Sequence, residues 1–186
     1  MEPAIFLDRD GVIIENRPSY ILSWDDVTIL PGSLEALREL HCHGVKIVVV
    51  TNQSAIGRGL ISSSQAQAIN EKLVGLIEQS GGHVEGLFMC PHTPEDQCDC
   101  RKPKPGLLLD AARSLNLDLG HSVMIGDALS DILAGQAAGV KENILLLTGR
   151  GEDQAKHPNA TSIKPYSIYK DLQTAVQHLI ESCSGY

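Results

Sequence analysis

Short apolar blocks recur along the chain, and the segments between them carry Leu, Ile and Ala at helical spacing. Ala4–Leu7, Val45–Val50, Val84–Met89, Val123–Ile125 and Asn143–Leu147 are nearly unbroken apolar runs, the pattern of strands covered on both faces. Ser33 as N-cap predicts a helix through about His43, with Leu34, Leu37 and Leu40 on one face and Gly44 at its C-terminal turn. Ser62–Ser64 opens a second helix through about Ser80, closed by Gly81 and Gly82. Pro105 opens a third through about Asn116, with Leu107, Leu108, Ala111 and Leu115 inward. Leu129–Ala138 is a fourth, rich in small residues. Beyond the fifth strand the pattern weakens. It suggests a surface loop over Glu152–Asn159, a short edge strand at Ala160–Ile163, a closing helix over Ser167–Glu181 and a frayed tail from Ser182 to Tyr186. Residues from Ile14 to Pro31 show no clear period, and a stretch of that length is more often functional than accidental. Strands alternating with helices predict the α/β class, a doubly wound parallel sheet, in a single domain over residues 1–186 with no internal repeat.

Composition narrows the function classes. The chain has 186 residues, 42% hydrophobic and 20% charged, enough for a full hydrophobic core. Its formal net charge of −8 argues against a protein that grips nucleic-acid backbones, which needs a basic stripe. No apolar run approaches the ~20 residues of a membrane span, and the first residues lack a basic start and a signal-type apolar core. The expectation is a cytoplasmic monomer with reduced cysteines and neither a nucleic-acid nor a membrane partner.

The strand ends carry the chemistry. Ala4–Leu7 runs directly into Asp8-Arg9-Asp10-Gly11. Side chains two apart on an extended chain point to one side, so Asp8 and Asp10 should share a small volume where open α/β sheets bind ligands. Two carboxylates that close repel unless a cation lies between them or one keeps its proton, and Mg²⁺ is the natural oxygen-bound partner. One carboxylate can then attack phosphorus while the other handles a proton. The second strand ends in Thr51-Asn52-Gln53-Ser54, hydroxyls and amides suited to an anion's oxygens, followed by a flexible loop carrying Arg58. The fourth ends in Gly126-Asp127, with Asp131 four residues on and on the same side of the next helical turn. The recurrence of an acid at a strand end gives Asp127 a metal role.

After the third strand, Cys90, His92, Cys98 and Cys100 fall within eleven residues. Three thiolates and one imidazole make a closed tetrahedral set for a structural Zn²⁺, with no position left for water. Disulfides are the alternative, which a reducing compartment disfavours. Cys42 and Cys183 have no partner ligands nearby. Arg101 and Lys102 follow the last of the four ligands, so two cations are tethered to a metal-pinned loop, where holding a pose costs less entropy.

Asp8/Asp10, Thr51, Lys102 and Asp127/Asp131 together resemble the four motifs of the haloacid dehalogenase superfamily of phosphotransferases, over residues 4 to about 150. Asp8-Arg9-Asp10-Gly11, Thr51-Asn52-Gln53-Ser54, Cys90-Pro91-His92 and Cys98-Asp99-Cys100-Arg101-Lys102-Pro103 resemble one subfamily more narrowly, that of the heptose bisphosphate phosphatases and the related histidinol-phosphate phosphatases. The resemblance implies a Rossmann-like haloacid dehalogenase fold with a minimal cap and a zinc-binding loop, acting on a small phosphorylated sugar or similar phosphomonoester. It implies Asp8 as nucleophile and Asp10 as acid/base. Asp8, the Asp10 carbonyl and Asp127 would hold Mg²⁺, with Asp131 in support. Thr51 and Lys102 would steady the phosphoryl group. Asn52, Gln53, Ser54, Arg58, Arg101 and the stretch Asn16, Arg17, Pro18 and Ser19 would contact the substrate. Members that cleave the heptose bisphosphate often carry Lys directly after the motif-four aspartate, where this chain has Ala128. Histidinol phosphate therefore stays open as a substrate. A phospho-accepting receiver domain, which also combines strand-end aspartates with Thr, Lys and Mg²⁺, stays open as another class.

Overall fold

A computed structural model describes residues 1–183. Six parallel strands form one sheet in the order β3-β2-β1-β4-β5-β6. They are β1 (Ala4–Leu7), β2 (Lys46–Asn52), β3 (Gly86–Cys90), β4 (Val123–Gly126), β5 (Glu142–Leu146) and β6 (Ser167–Tyr169). The apolar blocks are strands because both of their faces are covered. Ile5, Leu7, Ile47, Val49 and Ile125 pack on one side, against α1 (Ser33–Cys42), α3 (Ser63–Gln79) and α8 (Leu172–Cys183). Phe6, Val48, Val50 and Met124 pack on the other, against α4 (Gly106–Leu115) and α5 (Leu129–Ala138). Strand order reverses at β1, which pairs with β2 on one edge and β4 on the other. The carboxyl ends of β1 and β4 therefore flank the crevice where doubly wound sheets take their ligands.

Local chemistry sets the helix boundaries. At the start of α3, Ser62 Oγ accepts from the Gln65 N–H at 3.2 Å, and Gln65 Oε1 accepts from the Ser62 N–H at 3.0 Å. That is a reciprocal capping box. For α1 the cap is Gly32 rather than Ser33, because the turn needs a left-handed residue, φ 77°. The Ser33 hydroxyl instead donates to the carbonyls of Ile13 and Leu30, tying the irregular segment to the helix. That segment is held as a flap, with Ile14 bridged to Ile29 and the Glu15 N–H donating to Thr28 O at 2.8 Å.

The C-terminal third departs from expectation. Ala160–Ile163 is one helical turn, α7, and not an edge strand. The edge strand is Ser167–Tyr169, which pairs in parallel with β5. The closing helix therefore starts at Leu172, where Asp171 Oδ1 accepts from the Thr174 N–H at 2.9 Å. A three-residue strand is too short to show a period, and the open edge of β5 selects it. Glu152–Asn159 is not wholly loop, since α6 spans Gly151–Ala155, and α2 is a short turn at Ser54–Gly57. The expectations for the Cys183 thiol and for the end of the tail, 184–186, fall outside the described residues. Among the described residues no helix is long and apolar enough to cross a membrane.

Replacing Ser62 by Ala should lower stability by ~1 kcal/mol through loss of the α3 cap, read as a shifted urea midpoint with unchanged slope. An unchanged midpoint would show that the box contributes nothing.

Candidate active site

Asp8 still belongs to the ladder, its N–H donating to Ile125 O at 3.0 Å, so its carboxylate is aimed by β1 itself. Oδ1 accepts from the Arg9 N–H at 2.7 Å and pairs with Lys102 Nζ at 3.0 Å. Lys102 also pairs with Asp131 Oδ1 at 2.7 Å and donates to Val50 O at 2.8 Å. Its ammonium thus lies within 3.0 Å of two carboxylate oxygens and a carbonyl, the surroundings that a buried charge requires. Asn52 fixes the Lys102 backbone from both sides, donating to its carbonyl at 3.0 Å and accepting from its N–H at 3.1 Å.

Asp127 follows β4 and is fully buried. It accepts from Asn16 Nδ2 at 3.2 Å, from the Arg150 backbone N–H at 2.8 Å, and from Arg150 Nε and Nη2 at 3.3 and 3.1 Å. Gly11 and Gly149 both stand in left-handed backbone, and a Cβ on either would strike the Asp127 carboxylate. Asp8, Asp127 and Asp131 each present an oxygen within 4.8 Å of the others. Burial pushes the Asp8 carboxyl up to about 7; Lys102 opposes this, while Asp131, Asp127 and Asp10 add to it. Burial also raises Asp127, against the pull of Arg150. Burial would lower the Lys102 ammonium, but Asp131 and Asp8 outweigh it and raise its pKa. Crowded, buried carboxylates beside side-chain-free backbone fit a small divalent cation with oxygen ligands.

Asp10 faces the opposite wall. Arg9, itself buried, reaches it with Nε and Nη2, both at 3.1 Å, and is anchored behind by Asn70 Oδ1 at 2.6 Å. Gln53 Nε2 donates to Asp10 Oδ2 at 2.9 Å and to Thr51 Oγ1 at 2.9 Å. Thr51 lies beneath, fully buried, its hydroxyl 3.4 Å from Asp10 Oδ2.

A cavity of ≈ 550 Å³ opens above Asp8, Asp10 and Lys102. Asn16, Arg17 and Pro18 line it from the flap, Asn52, Gln53 and Ser54 from the end of β2, and Arg101 from the Cys/His loop. Ser19 and Arg58 do not line it. Arg58 turns instead to Glu95, 3.8 Å away, because its loop packs under the Cys/His segment through the Gly57 N–H to Pro91 O bond at 2.9 Å. Ala128 is buried at the start of α5 and does not line the cavity either. Sequence reasoning assigned no role to Arg150, Tyr20 or Ser130, which do line it. Arg150 had a legible signal, since Thr148-Gly149-Arg150-Gly151 follows a strand's carboxyl end as the other site segments do. Tyr20 had none.

Cys90, His92, Cys98 and Cys100 converge, with Cys100 Sγ 3.2 Å from Cys90 Sγ, 3.5 Å from Cys98 Sγ and 3.3 Å from His92 Nδ1. Such separations are too long for disulfides, and the four ligand atoms lie within 4.8 Å of one another, a set that could hold a metal ion. Arg101 Nη1 donates back to His92 O at 3.1 Å, so the loop braces the cation.

A strand-end carboxylate, a satisfied buried lysine and a cation-ready acidic cluster at a switch point are the parts of an enzyme of phosphoryl chemistry. The HAD-hydrolase-like family model matches residues 99–175. The D-glycero-beta-D-manno-heptose-1,7-bisphosphate 7-phosphatase of Pasteurella multocida is 41% identical over 167 residues, covering 86% of this chain and 90% of that one. The protein of the same name from Bordetella bronchiseptica is 37% identical over 180 residues, 95% and 97% of the two chains. The crystal structure of the D,D-heptose 1,7-bisphosphate phosphatase of B. bronchiseptica, complexed with magnesium and phosphate, superposes with a TM-score of 0.89 at 36% identity over 98% of this chain and 99% of that one. The chain belongs to the haloacid dehalogenase-like hydrolases.

The Asp8 shift carries a sign. A carboxyl raised from 3.8 to about 7 costs stability as pH climbs through that window, and the cost is relieved below it. Metal-free Asp8→Asn should therefore melt above the metal-free wild type at pH 7.5, with the gap shrinking as pH falls and closing near pH 3.5. Identical melting points at both pH values would sink the assignment.

Proposed function

We propose that the protein is a Mg²⁺-dependent phosphatase that removes the 7-phosphate of D-glycero-β-D-manno-heptose 1,7-bisphosphate. One observation carries the reading. The cavity that holds Asp8, Asp10 and Lys102 is also lined by three further cations, Arg17, Arg101 and Arg150. A monoester needs the first set; a bisphosphate also has an anion for the second. The protein would act as a monomer in the cytoplasm, where sugar phosphates are metabolised.

In this reading Asp8 is the nucleophile. Arg9 N–H and Lys102 both fall on Oδ1, and Oδ2 takes neither, which suits Oδ2 for attack on phosphorus. The P–O bond to the sugar breaks as the Asp8–phosphorus bond forms. Asp10 gives its proton to the leaving oxygen and then takes one from the water that cleaves the aspartyl-phosphate. Lys102 and Thr51 stabilise charge on the equatorial oxygens, Lys102 already oriented by Asn52 and Asp131. Asp8, Asp127 and the Asp10 carbonyl would hold Mg²⁺, which when bound neutralises the approach of an anionic nucleophile to an anionic ester. Asn16, Arg17, Pro18, Gln53, Ser54 and Arg101 face the sugar or its distal phosphate. Cys90, His92, Cys98 and Cys100 would hold a structural Zn²⁺, since three thiolates and an imidazole close its tetrahedron.

Phosphate release should require Mg²⁺ and run many turnovers per chain on the heptose bisphosphate, faster than on histidinol phosphate assayed beside it. One equivalent of release would indicate a receiver domain instead. Asp8→Asn should abolish release while zinc content, measured by atomic emission, stays at one per chain. Near-normal turnover of that variant would remove the nucleophile. Cys98→Ser should lose zinc and lower kcat by loosening Arg101 and Lys102. A stable, zinc-free and fully active Cys98→Ser protein would break that connection.

A further inference from the structure

Two cations neutralise the buried acidic cluster, and they are built differently. Lys102 is held on all sides: its ammonium is almost wholly buried, pairs with Asp8 and Asp131, donates to Val50 O and sits on a backbone clamped by Asn52. Arg150 is not. Its side chain is 54% exposed, its guanidinium hydrogen-bonds Asp127 alone among the described residues, and it lines the substrate cavity. Its backbone N–H is a separate contact to Asp127 Oδ2, at 2.8 Å. That donor is fixed by the left-handed turn at Gly149 and does not depend on where the side chain points.

We propose that the Arg150 guanidinium is a placeholder cation on Asp127, which a divalent metal displaces into the cavity, where it becomes an anchor for the second anionic group of the substrate. The anchoring half rests on the phosphatase reading above; the displacement half does not. A carboxylate that ligates a dication has little attraction left for a guanidinium on the same oxygens, and two positive groups in one low-dielectric volume repel. Turning the side chain out costs little, because it is already half in solvent and stays bound to its own backbone position. Asp127 keeps its aim throughout, held by the Arg150 N–H and by Asn16 Nδ2. The released guanidinium then offers a planar fork to a phosphate oxygen pair. Metal and bisphosphate would thus bind with positive coupling, since the first frees the residue that grips the second.

The test uses metal-stripped full chain, wild type beside Arg150→Gln. Isothermal calorimetry with Mg²⁺ alone should show tighter binding to Arg150→Gln by several-fold, because the competitor for Asp127 is gone. A merely structural Arg150 would leave that affinity unchanged or weaken it, and either result overturns the displacement. Kinetics with fructose 1,6-bisphosphate and fructose 6-phosphate as probes should show the ratio of kcat/KM values falling about tenfold in Arg150→Gln, with Arg150→Lys between the two. An unchanged ratio overturns the anchor even if Mg²⁺ binds more tightly. Should wild type hydrolyse neither probe nor the heptose bisphosphate, the functional reading fails, while the calorimetric result still decides the displacement.

Discussion

Everything in the site is arranged around one buried ammonium. Lys102 lies in the interior between Asp8 and Asp131, and an unpaired charge there would be untenable. Its presence obliges both carboxylates to stay close, and burial there raises the Asp8 carboxyl against the pull of Lys102. The cost is met by geometry: the two carboxylates pair with the ammonium, the Val50 carbonyl accepts from it and Asn52 holds the backbone. The network joins the carboxyl end of β2, the end of β1, the first turn of α5 and the segment after Cys100.

The Cys/His loop follows from that constraint. Lys102 is not delivered by a strand or a helix but by an irregular segment just before α4, the kind of backbone that is ordinarily loose. Four converging Cys and His side chains directly upstream, and the Arg101 bond back to His92, tie that segment down. A small cap then suffices, because the flap from Asn16 to Ile21 and the braced loop together wall the cavity.

The parallel sheet was legible because each core strand is covered on both faces and so appears as a plain apolar run. The acids at its ends were legible for the same reason: Asp8 and Asp127 interrupt hydrophobic blocks with no turn chemistry to explain them. β6 was not legible, being three residues long and selected by the open edge of β5 rather than by its own composition. The Asp171–Thr174 cap of α8 was present in the sequence but lay within a helix drawn too long. Asn52 read as a substrate contact because an amide at a strand end looks alike whether it meets a ligand or a neighbouring backbone. Only packing reveals that it clamps Lys102. Arg150 follows a strand's carboxyl end as the other site segments do, but its partner, Asp127, is 23 residues away, so the pairing itself was not legible.

Behind the cavity the buried Asp127 is packed against bare main chain: Gly11 and Gly149 approach the carboxylate so closely that neither tolerates a methyl group. The rim above it is made of long, varied side chains such as Arg17, Tyr20 and Arg101. Preference among phosphate esters can therefore drift by exchanging rim residues while the reacting centre beneath stays untouched. A scaffold divided in this way can acquire new customers without relearning its trade.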